Sequence, residues 1–156
     1  MATISVEHIN PFLIASSNIL KQMCFIEPKV EKPYIREPIF LDNTLLIIIG
    51  FTGKMKGQVM ISFEYDIALD IASKMIMMPL EELDDFAKSA ISELGNMILG
   101  NAATIFSTQG INIDITPPTI GTGTMSFSYT YTKNICIPFV YEDNKRIDIN
   151  IAVKGD

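Results

Sequence analysis

The chain has 156 residues, which is the size of one domain around a single hydrophobic core. Its composition, 48% hydrophobic and 19% charged, is that of an ordinary globular protein and excludes a disordered or low-complexity chain. The net charge is −6 and the twelve lysines and arginines form no basic block or stripe, which argues against a nucleic-acid ligand. We therefore expect one domain spanning residues 1–156.

No segment has the length of a membrane span. The longest apolar runs, such as residues 45–49, are far shorter than the roughly 20 residues that a spanning helix needs. The N-terminus also lacks a basic region followed by an apolar stretch. The sequence therefore predicts a soluble, cytoplasmic protein.

Cysteine and histidine are scarce. Cys24 and Cys136 have no CxxC spacing and apolar neighbours, so we predict two buried thiols rather than a disulfide or a metal site. His8 is the only histidine, which makes a Ser-His-Asp triad, a Cys-His pair or a zinc site improbable, since each needs an imidazole in a defined place. Any chemistry must use carboxylates, amides or groups of a partner.

The first half of the chain begins with a predicted helix over residues 6–24, where apolar residues recur at helical spacing and Pro11 lies near the first turn. Two prolines break residues 26–35 into an irregular connection that leads into an extended stretch. Residues 39–51 and 57–63 are apolar or alternating runs on either side of a turn, and together they predict a hairpin.

Two further helices are expected next. Asp66 is predicted to cap a short helix that ends near Met77, before Pro79. A long helix of about 25 residues should follow and end near Ser107. Acidic residues precede it, where the helix dipole favours negative charge; these are Glu81, Glu82, Asp84 and Asp85.

The last third of the chain reads as antiparallel strands at residues 111–115, 125–131, 135–141 and 147–153. Asn134 and the pair Asp143-Asn144 are the predicted turn positions. The order α-β-β-α-α-β-β-β-β predicts an α+β fold, in which two long helices and one short helix pack on one face of a largely antiparallel sheet.

The long helix has two distinct faces. With Ser89 at zero on a helical wheel, Glu93 lies at about 40°, Asn96 at about 340° and Gly100 at about 20°. An apolar stripe lies on the opposite side; its members are Ile91, Leu94, Ile98, Ala102 and Ile105. The stripe should meet the core, which leaves the Ser-Glu-Asn-Gly line facing outward.

Periodicity alone leaves the meaning of this outward face open, because any amphipathic helix places polar residues in solvent. A solvated face usually carries long charged side chains, however, whereas this one is interspersed with small residues that permit close approach. These are Ala90, Gly95, Gly100 and Ala103. The face is therefore either an ordinary solvated surface or a docking surface.

The same residues resemble a known motif. Ser89-x3-Glu93-x2-Asn96, followed after twenty-one residues by Pro118, is similar to the signature of the CheC/CheX/FliY phosphatases. The run from Glu93 to Ala102 also resembles the motif helix of that family. One intact copy of the motif is closest to the CheX type, which implies a CheC-like fold and a homodimer. The first helix offers Asn18, but Ala15 and Pro11 stand where the motif has its acid and its Ser or Asp, so it reads either as a decayed second copy or as an ordinary helix.

The resemblance implies a hydrolase that dephosphorylates the aspartyl phosphate of a phosphorylated CheY-like receiver domain. By this resemblance Asn96 orients the attacking water and Glu93 pairs with a receiver lysine, both being catalytic. Ser89, Gly100 and Pro118 would contact the partner. Mg²⁺ is expected on the receiver, and no cofactor or metal on this chain.

Two other functions remain open. A non-catalytic adaptor could bind a receiver or a flagellar-switch component through the same helix face, although it would not need the Glu93/Asn96 pair. A small-molecule sensor pocket is indicated only by the nine methionines, which more often fill cores and interfaces.

Overall fold

A computed structural model of the chain describes residues 6–127 and 131–154. Within these residues the chain forms three helices, namely α1 (Val6–Cys24), α2 (Tyr65–Ile76) and α3 (Asp85–Thr108). The strands of the first half are β1 (Lys29–Val30), β2 (Tyr34–Ile35), β3 (Ile39–Phe40), β4 (Thr44–Gly53) and β5 (Gly57–Glu64). Those of the second half are β6 (Ile113–Ile115), β7 (Thr119–Thr122), β8 (Met125–Ser126), β9 (Tyr131–Tyr141) and β10 (Lys145–Lys154).

One antiparallel sheet dominates the fold. Its strands lie in the order β1-β9-β10-β5-β4-β6, with β2 also paired to β9 and β7 also paired to β4. Strands β3 and β8 form a separate two-stranded ribbon. The predicted α+β class with a largely antiparallel sheet is confirmed.

The core lies between the helices and one face of this sheet. Along β4, alternate side chains such as Leu45 and Ile47 join the helices in the main cluster, because successive residues of a strand point to opposite faces. Leu46 points the other way and packs with Phe40 and Met60 in a small second cluster. Strand β4 is therefore apolar on both faces. The three helices pack on one face, and the β3–β8 ribbon lies on the other.

The helix boundaries follow the sequence signals closely. Helix α1 has the predicted ends, although Pro11 lies beyond its first turn and is buried. Asp84 caps α3 by accepting a hydrogen bond from the Ala87 amide at 2.9 Å, as its position before the helix indicates. The prediction for α2 was wrong by two positions: the helix begins at Tyr65, and the Asp66 carboxylate accepts from the neighbouring Ile67 amide instead of capping.

Two of the strand predictions and one turn prediction need correction. Residues 39–51 are not one strand, because a turn closed by the Thr44 amide and the Leu41 carbonyl separates β3 from β4. Asn134 is not in a turn but buried inside β9, where its amide group donates to the Arg36 carbonyl at 3.2 Å. Of the predicted strand 125–131, only β8 and Tyr131 are strand, and residues 128–130 lie outside the described residues.

The two thiols are free and buried, as predicted. Burial disfavours the thiolate and raises the pKa of both cysteines, that of Cys24 to about 12. Neither is therefore a reactive nucleophile. Over residues 6–127 and 131–154, no helix has both the length and the apolar character required to cross a membrane.

A polar network ties α2 to the turn between β9 and β10. Asp70 accepts a hydrogen bond from the Tyr141 hydroxyl at 2.7 Å and pairs with Lys74 at 3.3 Å and Lys145 at 3.4 Å. Glu142 pairs with the same two lysines at 3.0 and 2.9 Å. Burial alone would raise the pKa of Asp70, but the Tyr141 hydroxyl and the two ammonium groups outweigh it and hold that pKa below its usual range.

Substituting Asp70→Asn is expected to lower the free energy of unfolding by about 1 kcal/mol at neutral pH, because the amide keeps the Tyr141 contact but loses both ion pairs. A carboxyl with a depressed folded-state pKa stabilises the fold above its unfolded pKa of about 3.9, and that stabilisation disappears as pH falls through the folded value. Urea denaturation from pH 7 to pH 3 should show the two proteins converging in acid. Asp42→Asn replaces an exposed carboxylate and is the control, so its free energy of unfolding should equal that of wild type at every pH. If the difference between Asp70→Asn and wild type stayed constant with pH, Asp70 would not have the stabilising role assigned to it.

Candidate functional site

Helix α3 is fixed in the core along its apolar stripe. Ile91, Leu94, Ile98 and Ala102 are buried, and Ile105 is half-buried, as the wheel predicts. Near its C-terminal end the Phe106 ring packs edge-on against Phe12 of α1, with 5.2 Å between centroids. The helix is therefore a rigid base, and the direction of its outward face is set by this packing.

Gly95 does not lie on the outward face, which corrects the interpretation of the small residues. It is buried against β4, where a Cβ atom would come within 3.0 Å of the Ile47 side chain and 3.4 Å of Ile49. The glycine allows α3 to approach the sheet closely. Gly95 therefore contributes to helix–sheet packing and does not form part of a partner-binding surface.

The outward side of α3 forms one wall of an open groove of about 450 Å³. Four of the five predicted site residues line this groove, namely Ser89, Glu93, Asn96 and Pro118. The other lining residues are Asp85, Lys88, Ser92 and Ile120. The structure thus brings together residues from α3 and from the segment around β7 that are more than twenty positions apart in sequence.

The second wall of the groove is held by β4. Thr119 and Ile120 of β7 pair with Ile48 and Ile47 of that strand. Before β7, the Thr116 side-chain oxygen accepts a hydrogen bond from the Gly50 amide at 2.9 Å, and the Thr116 amide donates to the Gly50 carbonyl at 2.9 Å. These contacts fix the chain immediately before the two prolines. Pro118 consequently faces α3 from a backbone that is anchored on both sides.

Sequence reasoning missed half of the lining residues. Ser92 and Asp85 fall at about 300° and 320° on the same wheel, so the wheel contained the signal for both. Lys88, at about 260°, lies at the margin of that face. Ile120 could not be found in this way, because its position depends on β7, a strand that was not predicted.

Two of the polar side chains that line the groove, those of Glu93 and Asn96, are available to a partner. Glu93 is exposed and Asn96 is half-buried. Across residues 6–127 and 131–154, neither side chain has a hydrogen bond or an ion pair with another protein group. A carboxylate that only accepts hydrogen bonds therefore lies one turn from a carboxamide that both donates and accepts. Together they can bind a cation and orient a water molecule.

The residues that line the groove include no histidine–nucleophile pair and no metal-binding cluster. Neither histidine nor cysteine is among its lining residues. In the described part of the chain, no three histidine, cysteine or acidic side chains cluster as metal ligands would. The polar groups available at this surface are the carboxylates of Asp85 and Glu93, the Lys88 ammonium, the Asn96 amide and the hydroxyls of Ser89 and Ser92.

Gly100 does not line the groove but continues the outward face one turn beyond Asn96. Apart from its two neighbouring residues and the nearby backbone of α3 itself, a Cβ atom at this position would meet no atom within 4 Å. Gly100→Ala should therefore raise the free energy of unfolding by about 0.5–1 kcal/mol, because alanine favours the helix. If a partner approaches this backbone closely, the same change should weaken binding to it. Thermal denaturation and partner titration measure the two effects, and a variant that is stabilised but binds normally would exclude Gly100 from the interface.

Helix α1 provides no equivalent surface. Asn18 is exposed, but Pro11 and Ala15 are buried on the core side of the helix. The three positions that would correspond to the motif therefore share no exposed face. On this geometry Asn18 is an isolated polar residue on an amphipathic helix.

Comparison with known proteins agrees with the motif. The model of the family described as chemotaxis phosphatase CheX matches residues 45–140. The chain is 31% identical over 148 residues to the CheY-P phosphatase CheX of Thermotoga maritima. This alignment covers 94% of this chain and 96% of that protein.

Solved structures show the same architecture. A CheC-like superfamily protein from Shewanella sp. PV-4 is 29% identical and superposes with a TM-score of 0.86, covering 97% of this chain and all of the other. The CheX–CheY–BeF3–Mg²⁺ complex from Borrelia burgdorferi contains a chain that is 30% identical with a TM-score of 0.81, again over 97% of this chain and all of the other. By the family match and by the identity over nearly its whole length, this chain belongs to the chemotaxis phosphatase CheX family.

Proposed function

We propose that this chain hydrolyses the aspartyl phosphate of a CheY-like receiver domain. The observation that carries the proposal is the Glu93/Asn96 pair, which is unengaged in an open groove on a rigid helix. Membership of the CheX family supports it, as does a 30% identical relative seen in complex with CheY, BeF3 and Mg²⁺. A CheY-like substrate also favours a cytoplasmic location for this chain. We propose in addition that residues 1–156 act as a single domain.

The proposed reaction needs positioning more than covalent chemistry. Water attacks phosphorus in line with the aspartyl oxygen, the bond between that oxygen and phosphorus breaks, and a free carboxylate and inorganic phosphate remain, with the water proton carried away by phosphate or solvent. The Asn96 side-chain oxygen accepts a hydrogen bond from the water, while its NH₂ group donates to a phosphoryl oxygen. Because the amide is neutral, it does not repel the anionic transition state.

Glu93 has a different role in the proposal. Its carboxylate is exposed one turn before Asn96, where it can meet a cationic side chain beside the phosphorylated aspartate. We assign it to a receiver lysine. A charge-assisted hydrogen bond at this position orients the lysine and fixes the register in which α3 enters the receiver site.

The metal ion of the proposed reaction belongs to the receiver. Asp85 and Glu93 are the carboxylates that line the groove, and eight residues of helix separate them by about 12 Å along its axis, which is too far for one Mg²⁺ ion at about 2.1 Å from each ligand. The residues present therefore do not fit a metal site of this chain's own. Chelation should stop the reaction by acting on the receiver.

The test of the proposal is phosphate release from a purified, phosphorylated CheY-like receiver with Mg²⁺ present. Addition of a catalytic amount of this chain should shorten the lifetime of the phosphorylated form, with turnover in excess of the amount of chain added. The adaptor alternative predicts binding without any change in lifetime. A receiver that binds the chain but loses phosphate at its intrinsic rate would overturn the enzymatic proposal.

We further propose that the chain forms a homodimer through the region of β1, β2 and β3. Large apolar side chains are exposed there; these are Val30, Tyr34, Ile35, Ile39 and Leu41. Strands β1 and β2 are short and pair on β9, so they leave an outer edge that a second chain could cover. Light scattering should give twice the mass of 17.4 kDa, and a monomeric mass at micromolar concentration would contradict this.

A further inference from the structure

One aromatic side chain on the outward side of α3 is largely exposed. Phe86 is the second residue of the helix and is 60% exposed, whereas the next residue, Ala87, is fully buried. On the helical wheel Phe86 lies at about 60°, close to Glu93 at about 40°. Phe86 therefore shares the face of Glu93, two turns nearer to the N-terminus and about 10.5 Å away along the axis.

The position is unusual for phenylalanine. Single exposed apolar residues are common, but the first turn of a helix favours polar and acidic residues, and phenylalanine has a lower helix propensity than alanine, lysine or glutamate. The residues that follow on this face, Ser89, Glu93 and Asn96, are all polar. Phe86 does not itself line the groove, but it lies on the Glu93 side of the same helix, one position after the lining residue Asp85.

We propose that Phe86 is an apolar anchor for the receiver domain, an inference that rests on the proposed function and adds to it. A stable interface of standard size covers about 800 Å² on each partner, which corresponds to a patch of roughly 16 Å radius. Centred on Glu93, such a patch includes Phe86. Phenylalanine is one of the residues that are enriched in protein interfaces relative to the rest of the surface.

The geometry also defines the partner. With Glu93 beside a cation and Asn96 at the phosphoryl group, Phe86 meets the receiver surface about two helical turns away on the Glu93 side. The receiver that this chain prefers therefore carries an apolar patch at that distance from its phosphorylated aspartate. Receivers with a charged side chain at that place are poorer substrates, because the Phe86 ring would displace the water that solvates the charge.

The test compares KM and kcat for phosphate release in three variants. Phe86→Ala should raise KM about tenfold, as expected for loss of most of a phenylalanine contact, with kcat at saturating receiver unchanged. Phe86→Leu should recover most of the affinity. Phe25→Ala is the matched control, since Phe25 is a phenylalanine of nearly equal exposure, 62%, that follows α1 and does not line the groove, and its KM should equal that of wild type.

A second readout separates this inference from the proposed function. Binding of fluorescently labelled, beryllofluoride-activated receiver needs no turnover, so it reports the Phe86 contact even if wild type releases no phosphate. If Phe86→Ala binds the receiver more weakly than wild type and the control variant does not, the result supports the role of Phe86 as an anchor. Equal binding and equal KM for Phe86→Ala and wild type, or a loss of kcat without a change in KM, would overturn it, as would wild type that does not bind.

Discussion

Asn96→Ala is expected to lower the rate of phosphate release at saturating receiver by about 100-fold or more. A preorganised group that acts on the transition state is worth about 2.7 kcal/mol or more when it is removed, which corresponds to that factor. Asn96 lies on a helix whose opposite side is buried, so its position is set before the receiver arrives. The effect should appear in kcat, with KM changed much less, because the amide acts on water and the phosphoryl group rather than on docking.

The matched control is Asn18→Ala on α1. Both asparagines lie on amphipathic helices and neither is fully buried, but only Asn96 lines the groove. Asn18→Ala should therefore release phosphate at the wild-type rate. Thermal denaturation of both variants excludes a folding defect. An Asn96→Ala protein with full activity would remove Asn96 from the mechanism, whereas a loss of activity in Asn18→Ala would revive a second site on α1.

Local patterns were sufficient for α1 and α3, although not for the start of α2. Helix α1 has the predicted ends, and α3 begins at an N-cap that its aspartate signals, because helical periodicity and capping depend on residues a few positions apart. The strands were harder. Strand β7 escaped prediction since its pairing with β4 joins residues more than seventy positions apart, and its glycine and flanking prolines resemble a loop.

The same division holds for the site. Ser89, Glu93 and Asn96 lie within eight residues of one helix, so the wheel alone places them on one face. Pro118 was reached only by the spacing of the motif, and its position opposite α3 depends on the contacts of Thr116 and β7 with β4. Gly95 shows the opposite failure: a small residue was taken for part of an open surface, although it faces Ile47 and Ile49 in the sheet.

Both walls of the groove are supported by the same strand, β4. One of its walls is α3 and the other includes Ile120 of β7, and both rest on β4, since Gly95 packs on Ile47 while Ile120 pairs with that same residue in the sheet. A well-packed core transmits little deformation. The spacing between Asn96 and Pro118 is therefore fixed by one strand. Changes at Ile47 should alter the width of the groove through its contacts with both walls, without changing any lining residue.

Glu93→Gln is expected to raise KM for the phosphorylated receiver and to reduce kcat/KM by about 30-fold or more. Loss of one member of a desolvated, hydrogen-bonded charge pair costs about 2 kcal/mol or more, because the partner's charge is left buried without its counter-ion. Glutamine keeps the size of the side chain, so the effect isolates charge from shape. Glu93→Lys should have the larger effect, since it places two cations together.

Salt dependence provides the sharper measurement. KM of the wild type should rise with ionic strength, because salt screens the attraction between Glu93 and the receiver cation. The slope should be smaller for Glu93→Gln. Glu82→Gln, which neutralises an exposed carboxylate outside the groove lining, is the control and should keep the wild-type slope. If Glu93→Gln had the wild-type KM and the wild-type slope, Glu93 would have no cationic partner in the complex.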